Sequence, residues 1–587
     1  MRTRRRNRHL SPQAAAGRPS AAVAFGAVVA AALGAWLVAL AAPRPALAAR
    51  TFYVDGTNGS ENNAGTSTAP FKTVSRAATV ANMPGDVVYI RGGVYHNDNF
   101  QNVIHPDAGG TAAEWITFRA YPGELPILDG SMITSSGGSG FEPPPGATPV
   151  SYVRVVGIVA RNFPSSGFSN GWDRHASNLH FQNVIAEGNG INGITFYGTG
   201  GVIIENSIVA HNGNRQPSWS SGVNLYAVTG SYLTNIVRGN VSFENVDISS
   251  NHSDGSGFIL DFGSTGALFE NNIGFRNGGS CIRLTNSPGS RLVGNTCYRN
   301  GLDTTAMYRD EIYYSDPASR GSAVLRNNLV APGSGLRALN DASGVSSMNN
   351  LTLGSNDATP FFMNAGAADF RIAAGSTTVI DRGVATDAPA SDIGFDPRCI
   401  RAQTGQAISW WQNAPDYDYI RSVGGVAGCF RPAVRVQGAA PDVGAYETGG
   451  MLVAATGGAS GSGGRAGSGG ATGAGGAGGR AGTGGGAAGA SGTGGATVGS
   501  GGAASGTGGA TAGSGGSIGG GTGGTTGTPG SGGGAAADAG TTPPAGEPGA
   551  CGCHLTGGAG SGGIAAAAVF LITAMWRGGR RRRCRCR

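Results

Sequence analysis

The chain has 587 residues and a formal net charge of +7, but 108 of the residues are Gly and only 7% are aromatic. Its positive charge sits at the ends. Eight Arg fall in residues 1–50 and seven in the last eleven, whereas residues 51–447 hold 24 Lys plus Arg against 32 Asp plus Glu, a balance of −8. That balance excludes a basic nucleic-acid footprint on the folded part.

The N-terminus reads as an export signal, 1–48. "MRTRRRNRHL" is a charged n-region, "AAVAFGAVVAAALGAWLVALAA" is apolar, and Ala46-Leu47-Ala48 offers a small-residue cleavage site before Ala49. The apolar run is long, so an uncleaved anchor is the alternative. Residues 49–150 read as a cap and first coils. "PFKTVSRAATVA" has the pattern of a short amphipathic helix and "DVVYI" that of a strand. A helix over the first coil would protect an open sheet edge.

Residues 151–390 repeat a phrase: an Asn, four or five residues, then Asn-Gly or something close. The leading Asn residues are 183, 206, 240, 272, 295, 328 and 350, at intervals of 23, 34, 32, 23, 33 and 22. A base period near 22, short β-branched runs such as "GVIIEN" and "GFILDF", and no helical pattern predict an all-β solenoid, a right-handed parallel β-helix. Leucine-rich repeats share the period but need a dense Leu pattern that is missing. Stacked coils bury the aliphatic residues and align the Asn at turns, where Asn tolerates left-handed backbone. The extra residues of the three long intervals leave the coil near 212–221, 246–256 and 301–318. Loops on one face of a rigid solenoid make a groove.

Residues 391–447 form the expected closing region. Cys399 with Cys429 is the expected closure of a long loop there, and Cys281 with Cys297 is a further candidate pair. Residues 448–550 are Gly, Ala, Ser and Thr in short repeats, which cannot bury enough apolar surface to offset the entropy of ordering, so a disordered tether is expected. Residues 551–587 carry a Cys pair, an apolar run and an Arg cluster. This tail resembles the C-terminal sorting tag of myxobacterial surface proteins, which implies an exported body tethered at the cell surface. A plain C-terminal membrane anchor gives the same topology.

The opening "FYVDGTNGSENNAGTSTAPFKTVSRAATVANMPGDVVYIRGGVY" resembles right-handed β-helix carbohydrate-active proteins, with Asp55, Gly65, Thr66, Pro70, Phe71, Gly85 and Asp86 on the shared pattern. With the coils it is similar to the ninth pectate lyase family. That family carries clustered Asp around Asp-Asp-Gly-x-Asp, which hold calcium, and a basic residue on a nearby coil removes the proton α to a uronate carboxylate. The matching stretch here is Ser253-Asp254-Gly255-Ser256-Gly257, with Asp254 and Gly255 in common. The resemblance implies β-elimination on an acidic polysaccharide, with Asp254, Asp261 and Asp247 as calcium ligands. The only Lys in the chain is Lys72, in the cap, so the base falls to Arg283 or Arg276 one coil on, or to His252 or His211.

Aromatic and hydrogen-bonding groups suit a sugar chain, which makes Trp219, Tyr313 and His211 the expected substrate contacts. Two other readings stay open. Asp254 and Asp261 fit the acid and base of a glycoside hydrolase, and the body also fits a non-catalytic glycan-binding adhesin. Alternation in Phe258-Ile259-Leu260-Asp261 puts Ile259 and Asp261 on one face, so Asp261 is either a site residue or a bonder of turn amides. A monomer is expected.

Overall fold

The computed structural model describes residues 48–448 except 145–149, 174–175, 355–360 and 436–437. The expected leader up to residue 47, the tether and the tail lie outside the described residues. Among the described residues no helix is long and apolar enough to cross a membrane.

The described chain winds as a parallel β-helix. Three parallel sheets, here A, B and C, have 11, 10 and 6 strands, and strands of successive coils pair with one another within each sheet. The sheet C strands Ile194–Tyr197, Val223–Tyr226, Phe258–Asp261, Ile282–Leu284 and Ile312–Tyr314 show why. Their register stacks Ile194, Val223, Phe258, Ile282 and Ile312 in one inward column. Phe196, Leu225, Leu260 and Leu284 form the next. Each such side chain leaves water entirely, a gain of roughly 1.5–3 kcal/mol apiece. The helix Val74–Val80 is N-capped by Thr73 and buries Val74, Ala77 and Ala78 in the same core as Val54 and Val88 of the first coils.

Two Asn ladders run along the turns. One passes from Asn240 through Asn272, Asn295 and Asn328 to Asn350, each Nδ2 donating to the next Oδ1 at 2.7–3.0 Å. The other runs from Asn189 through Asn212, Asn245 and Asn277 to Asn300, and ends on the buried Glu311 carboxyl, which accepts from the Asn300 amide at 2.9 Å and its Nδ2 at 2.6 Å. The leading Asn of the sequence phrase therefore belongs to two different columns. Asn183 and Asn206 have left-handed backbone, φ +53° and +52°, in a column continued by Gly239, Asn271, Gly294, Asn327 and Asn349, one residue before the ladder.

Two further expectations change. The stretch 301–318 is not one loop, because Ile312–Tyr314 is a sheet C strand paired with Ile282–Leu284, and a helix follows at Pro317–Ser322. Three residues between charged neighbours were too few to show the alternation. The residues after 361 do more than close the end. They run back along the outer face of sheet B, where Phe370, Phe395, Ile420 and Phe430 join Ile185, Ile208 and Phe243 in a second apolar core. Sheet B is thus covered on both faces. Disulfides join Cys281 to Cys297 and Cys399 to Cys429.

Candidate active site

The outward positions of sheet C fall into two rows. Thr195, Asn224, Ile259, Arg283 and Tyr313 share one register, and Tyr197, Tyr226 and Asp261 share the next. Alternation thus sends Phe258 and Leu260 into the core and Asp261 outward.

Asp254 reaches this face from the loop between Val241–Phe243 and Phe258–Asp261. The Asp247 carboxylate folds the loop back, its Oδ1 accepting from the Ser249 amide at 2.8 Å and its Oδ2 from the Asp254 amide at 2.9 Å. Gly255 follows at φ +78°, and a Cβ there would meet the Asp247 nitrogen at 3.0 Å and the Gly279 nitrogen at 3.2 Å, so both backbone angle and close approach demand glycine. Its amide donates to the Ser220 carbonyl at 2.6 Å, which sets the exposed Trp219 beside this turn.

Arg283 lies between the two acids. Its Nη1 is 3.0 Å from Asp254 Oδ1 and its Nη2 is 3.5 Å from Asp261 Oδ1; Nη1 also donates to the Ser253 carbonyl. The guanidinium sits 4.8 Å from the Tyr308 ring centroid, and Tyr308 packs 4.7 Å from Tyr313. Asp254, Arg283 and Asp261 are only 2%, 3% and 7% exposed. Four buried polar atoms here have no hydrogen-bond partner: Asp254 Oδ2, Arg283 Nε, Asn224 Oδ1 and Ser256 Oγ. Such atoms are costly in a core and ordinary in a site that takes a ligand or water.

Burial pushes the Asp254 carboxyl up to about 6, against the pull of Arg283 and with help from Asp261 and Asp247. Burial also raises Asp261, again opposed by Arg283. For Arg283 burial acts to lower the pKa, but Asp254 and Asp261 outweigh it and the guanidinium ends above its ordinary value. Arg283 therefore holds its proton in this arrangement.

His252 sits beside these groups on a left-handed residue, φ +45°, and its Nδ1 is 3.3 Å from Asp303 Oδ2. The Met307 amide donates to the His252 carbonyl at 2.8 Å. Together these contacts fasten the 301–311 loop over the acids.

His211 and Arg276 are not brought to this site. Both occupy the turn after sheet B and hold the returning C-terminal chain. His211 Nε2 is 3.2 Å and Arg276 Nε 3.1 Å from the Glu244 carboxylate, which also accepts from the Gln412 and Asn413 amides. Trp411 stacks on the His211 ring at 4.4 Å, and Arg276 donates to the Trp410 carbonyl. Asp247, Asp254 and Asp261 do not fit a calcium ion in this arrangement. Asp247 is engaged by turn amides, and a guanidinium stands between the other two where a cation would need converging oxygens. Among the described residues, the one close cluster of potential ligands is Cys281, Cys297 and Glu311, whose sulfurs are joined to each other.

Residues 52–311 match the family model described as "Pel9A-like, right handed beta helix region". Those residues are similar to that family. The match contains Asp254, Asp261 and Arg283. Among solved structures, a pectate lyase Pel9A aligns at 17% identity over 68% of this chain and 97% of its own, with a TM-score of 0.42. A rhamnogalacturonan lyase aligns at 18% identity over 48% of this chain and 70% of its own, TM-score 0.31. The A-module of the Azotobacter vinelandii mannuronan C-5 epimerase AlgE4 aligns at 15% identity over 51% and 96%, TM-score 0.29. No curated protein matches the chain.

Proposed function

We propose that the β-helix body cleaves a polysaccharide laid on the outer face of sheet C, with Asp254 as the proton donor. The observation that carries this reading is the buried Asp254–Arg283–Asp261 triad, in which Asp254 has a raised pKa and a free Oδ2. Two carboxylates around one guanidinium carry a net −1, and one added proton makes the group neutral. Burial favours that neutral form. The triad then holds one carboxylic acid and one carboxylate, the two protonation states that glycoside hydrolysis uses. Asp254 gives its proton to the glycosidic oxygen as the bond from the anomeric carbon breaks. Asp261 takes the proton of the water that adds to that carbon. Arg283 keeps both carboxyls in place. The 301–311 loop must lift to admit the chain.

A second reading is β-elimination on a uronate polymer, favoured by the Pel9A-like match across the site and by the lyase names of the relatives. In it His252 removes the proton α to the uronate carboxylate, the bond from the β carbon to the glycosidic oxygen breaks, and that oxygen takes a proton from water. Export belongs to either reading, since two disulfides persist where the environment is oxidising. Incubation of the purified protein with neutral and uronate polymers, with calcium or chelator, separates the readings. New reducing ends without ultraviolet absorbance support hydrolysis. Calcium-dependent absorbance from unsaturated ends supports elimination. Loss of either signal in Asp254→Asn places the chemistry at this triad, and neither signal on any polymer sinks both.

A further inference from the structure

Four aromatic rings stand in line on the outside of sheet C, one on each of four successive coils. Trp172 lies 4.8 Å from Tyr197, Tyr197 lies 6.2 Å from Tyr226, and Tyr226 lies 6.4 Å from Phe262. The register explains the line. Tyr197 pairs with Tyr226 and Tyr226 with Asp261, so the row of rings runs directly into the acid pair, and Phe262 is the next residue after Asp261. The outer rings are not core. Trp172 is 57% and Phe262 56% exposed, a cost in water that isolated packing does not explain. The unpartnered Asn224 Oδ1 lies in the adjacent row, two residues before Tyr226 on the same face.

We propose that this line is the binding track for uncharged sugar units, with the polymer lying parallel to the solenoid axis and entering the acid pair from the N-terminal coils. The proposal rests on the reading that cleavage occurs at Asp254 and Asp261. Coils repeat at about 4.8 Å, so a chain along the axis meets one ring per step of roughly a pyranose in length. Aromatic faces pack against the C–H faces of sugars, while acceptors such as Asn224 Oδ1 take hydroxyls. Charge selects against a polyanion here. Asp261 continues the register of Tyr197 and Tyr226, so a carboxylate already stands at the end of the line. The nearest cation of the triad, Arg283, is committed to Asp254 and Asp261. A run of uronates would meet negative charge without a free partner.

The test is affinity electrophoresis of the full-length protein in gels containing soluble xylan, glucomannan or polygalacturonate. Wild type, Trp172→Ala, Phe262→Ala and Asp254→Asn are compared, with thermal unfolding as the check on folding. The expected result is retardation by at least one neutral polymer and not by polygalacturonate. Trp172→Ala and Phe262→Ala each weaken that binding about tenfold, and both fold normally because their side chains are exposed. Unchanged binding in both variants, stronger retardation by polygalacturonate, or no retardation by any neutral polymer would overturn the proposal. Asp254→Asn keeps the failures apart. If it still cleaves, the acid assignment fails whatever the rings do. If it binds but does not cleave while the ring variants bind like wild type, the track fails and the acid assignment stands.

Discussion

Arg283 donates to Asp254 across 3.0 Å with both side chains almost fully buried, and the same guanidinium reaches Asp261. The buried group has one carboxylate more than it has cations. The Asp254 carboxyl, about 6 in the folded chain against an ordinary 3.8, binds its proton more tightly folded than unfolded. Its effect on stability is most favourable below pH 3.8, is lost as the pH rises through 6, and stays a penalty above that. Asp254→Asn removes the surplus charge. The variant should be about 1–3 kcal/mol more stable than wild type at pH 8 and equal to it near pH 4, while losing cleavage. Denaturant titrations at the two pH values, with an activity assay, check this. A variant that is destabilised at pH 8 contradicts the account.

Removing the cation has the opposite effect. Arg283→Met leaves two carboxyls facing each other without a partner, which should cost about 3–5 kcal/mol at pH 7. Adding Asp254→Asn and Asp261→Asn to Arg283→Met should recover most of that stability and none of the activity. Unfolding free energies of the single and triple variants give the comparison, and a triple variant as unstable as the single would count against the triad as a charge unit.

The docked C-terminal chain should be sensitive to alkali. Burial opposes the charge on His211, but Glu187 and Glu244 raise it to about 9. A raised histidine contributes stability that is fully present below its ordinary 6.5 and is lost as the pH climbs through 9. Wild type should lose about 1–3 kcal/mol from this source between pH 6.5 and 9, and His211→Gln should show a flatter profile. Thermal unfolding across that range measures it, and parallel profiles would refute the role.

The loop over the acids should loosen when its clamp is cut. Asp303→Ala removes the partner of His252 at 3.3 Å and leaves the triad untouched. Hydrogen exchange in 301–311 should rise several-fold and the Michaelis constant should change, while the global Tm moves little because the pair is partly exposed. Exchange identical to wild type would show that the Met307 contact alone holds the loop.

The solenoid, its helical cap and the first two long loops were legible because periodicity, turn residues and β-branched runs act locally. Asp254 was legible as well, since Asp-Gly at the end of a long inter-strand loop marks a tight turn carrying a carboxylate. What escaped depends on register between coils. Arg283 was a candidate one coil on from Asp254, but its place between the acids follows only from the pairing of Ile259 with Arg283. The ring line was missed for the same reason, since Trp172, Tyr197, Tyr226 and Phe262 have no common spacing in the chain. His211 and Arg276 looked available because no local pattern shows that Trp410 and Trp411 fold back onto them. The calcium expectation came with the family resemblance, and Arg283 stands between two of the acids it named.

The most direct test of the central claim is product analysis on a neutral polysaccharide cut by wild type and by Asp254→Asn. The account predicts new reducing ends without ultraviolet absorbance, unaffected by chelator, and their loss in the variant. Cleavage confined to uronate polymers, dependent on calcium and yielding unsaturated ends, would contradict it.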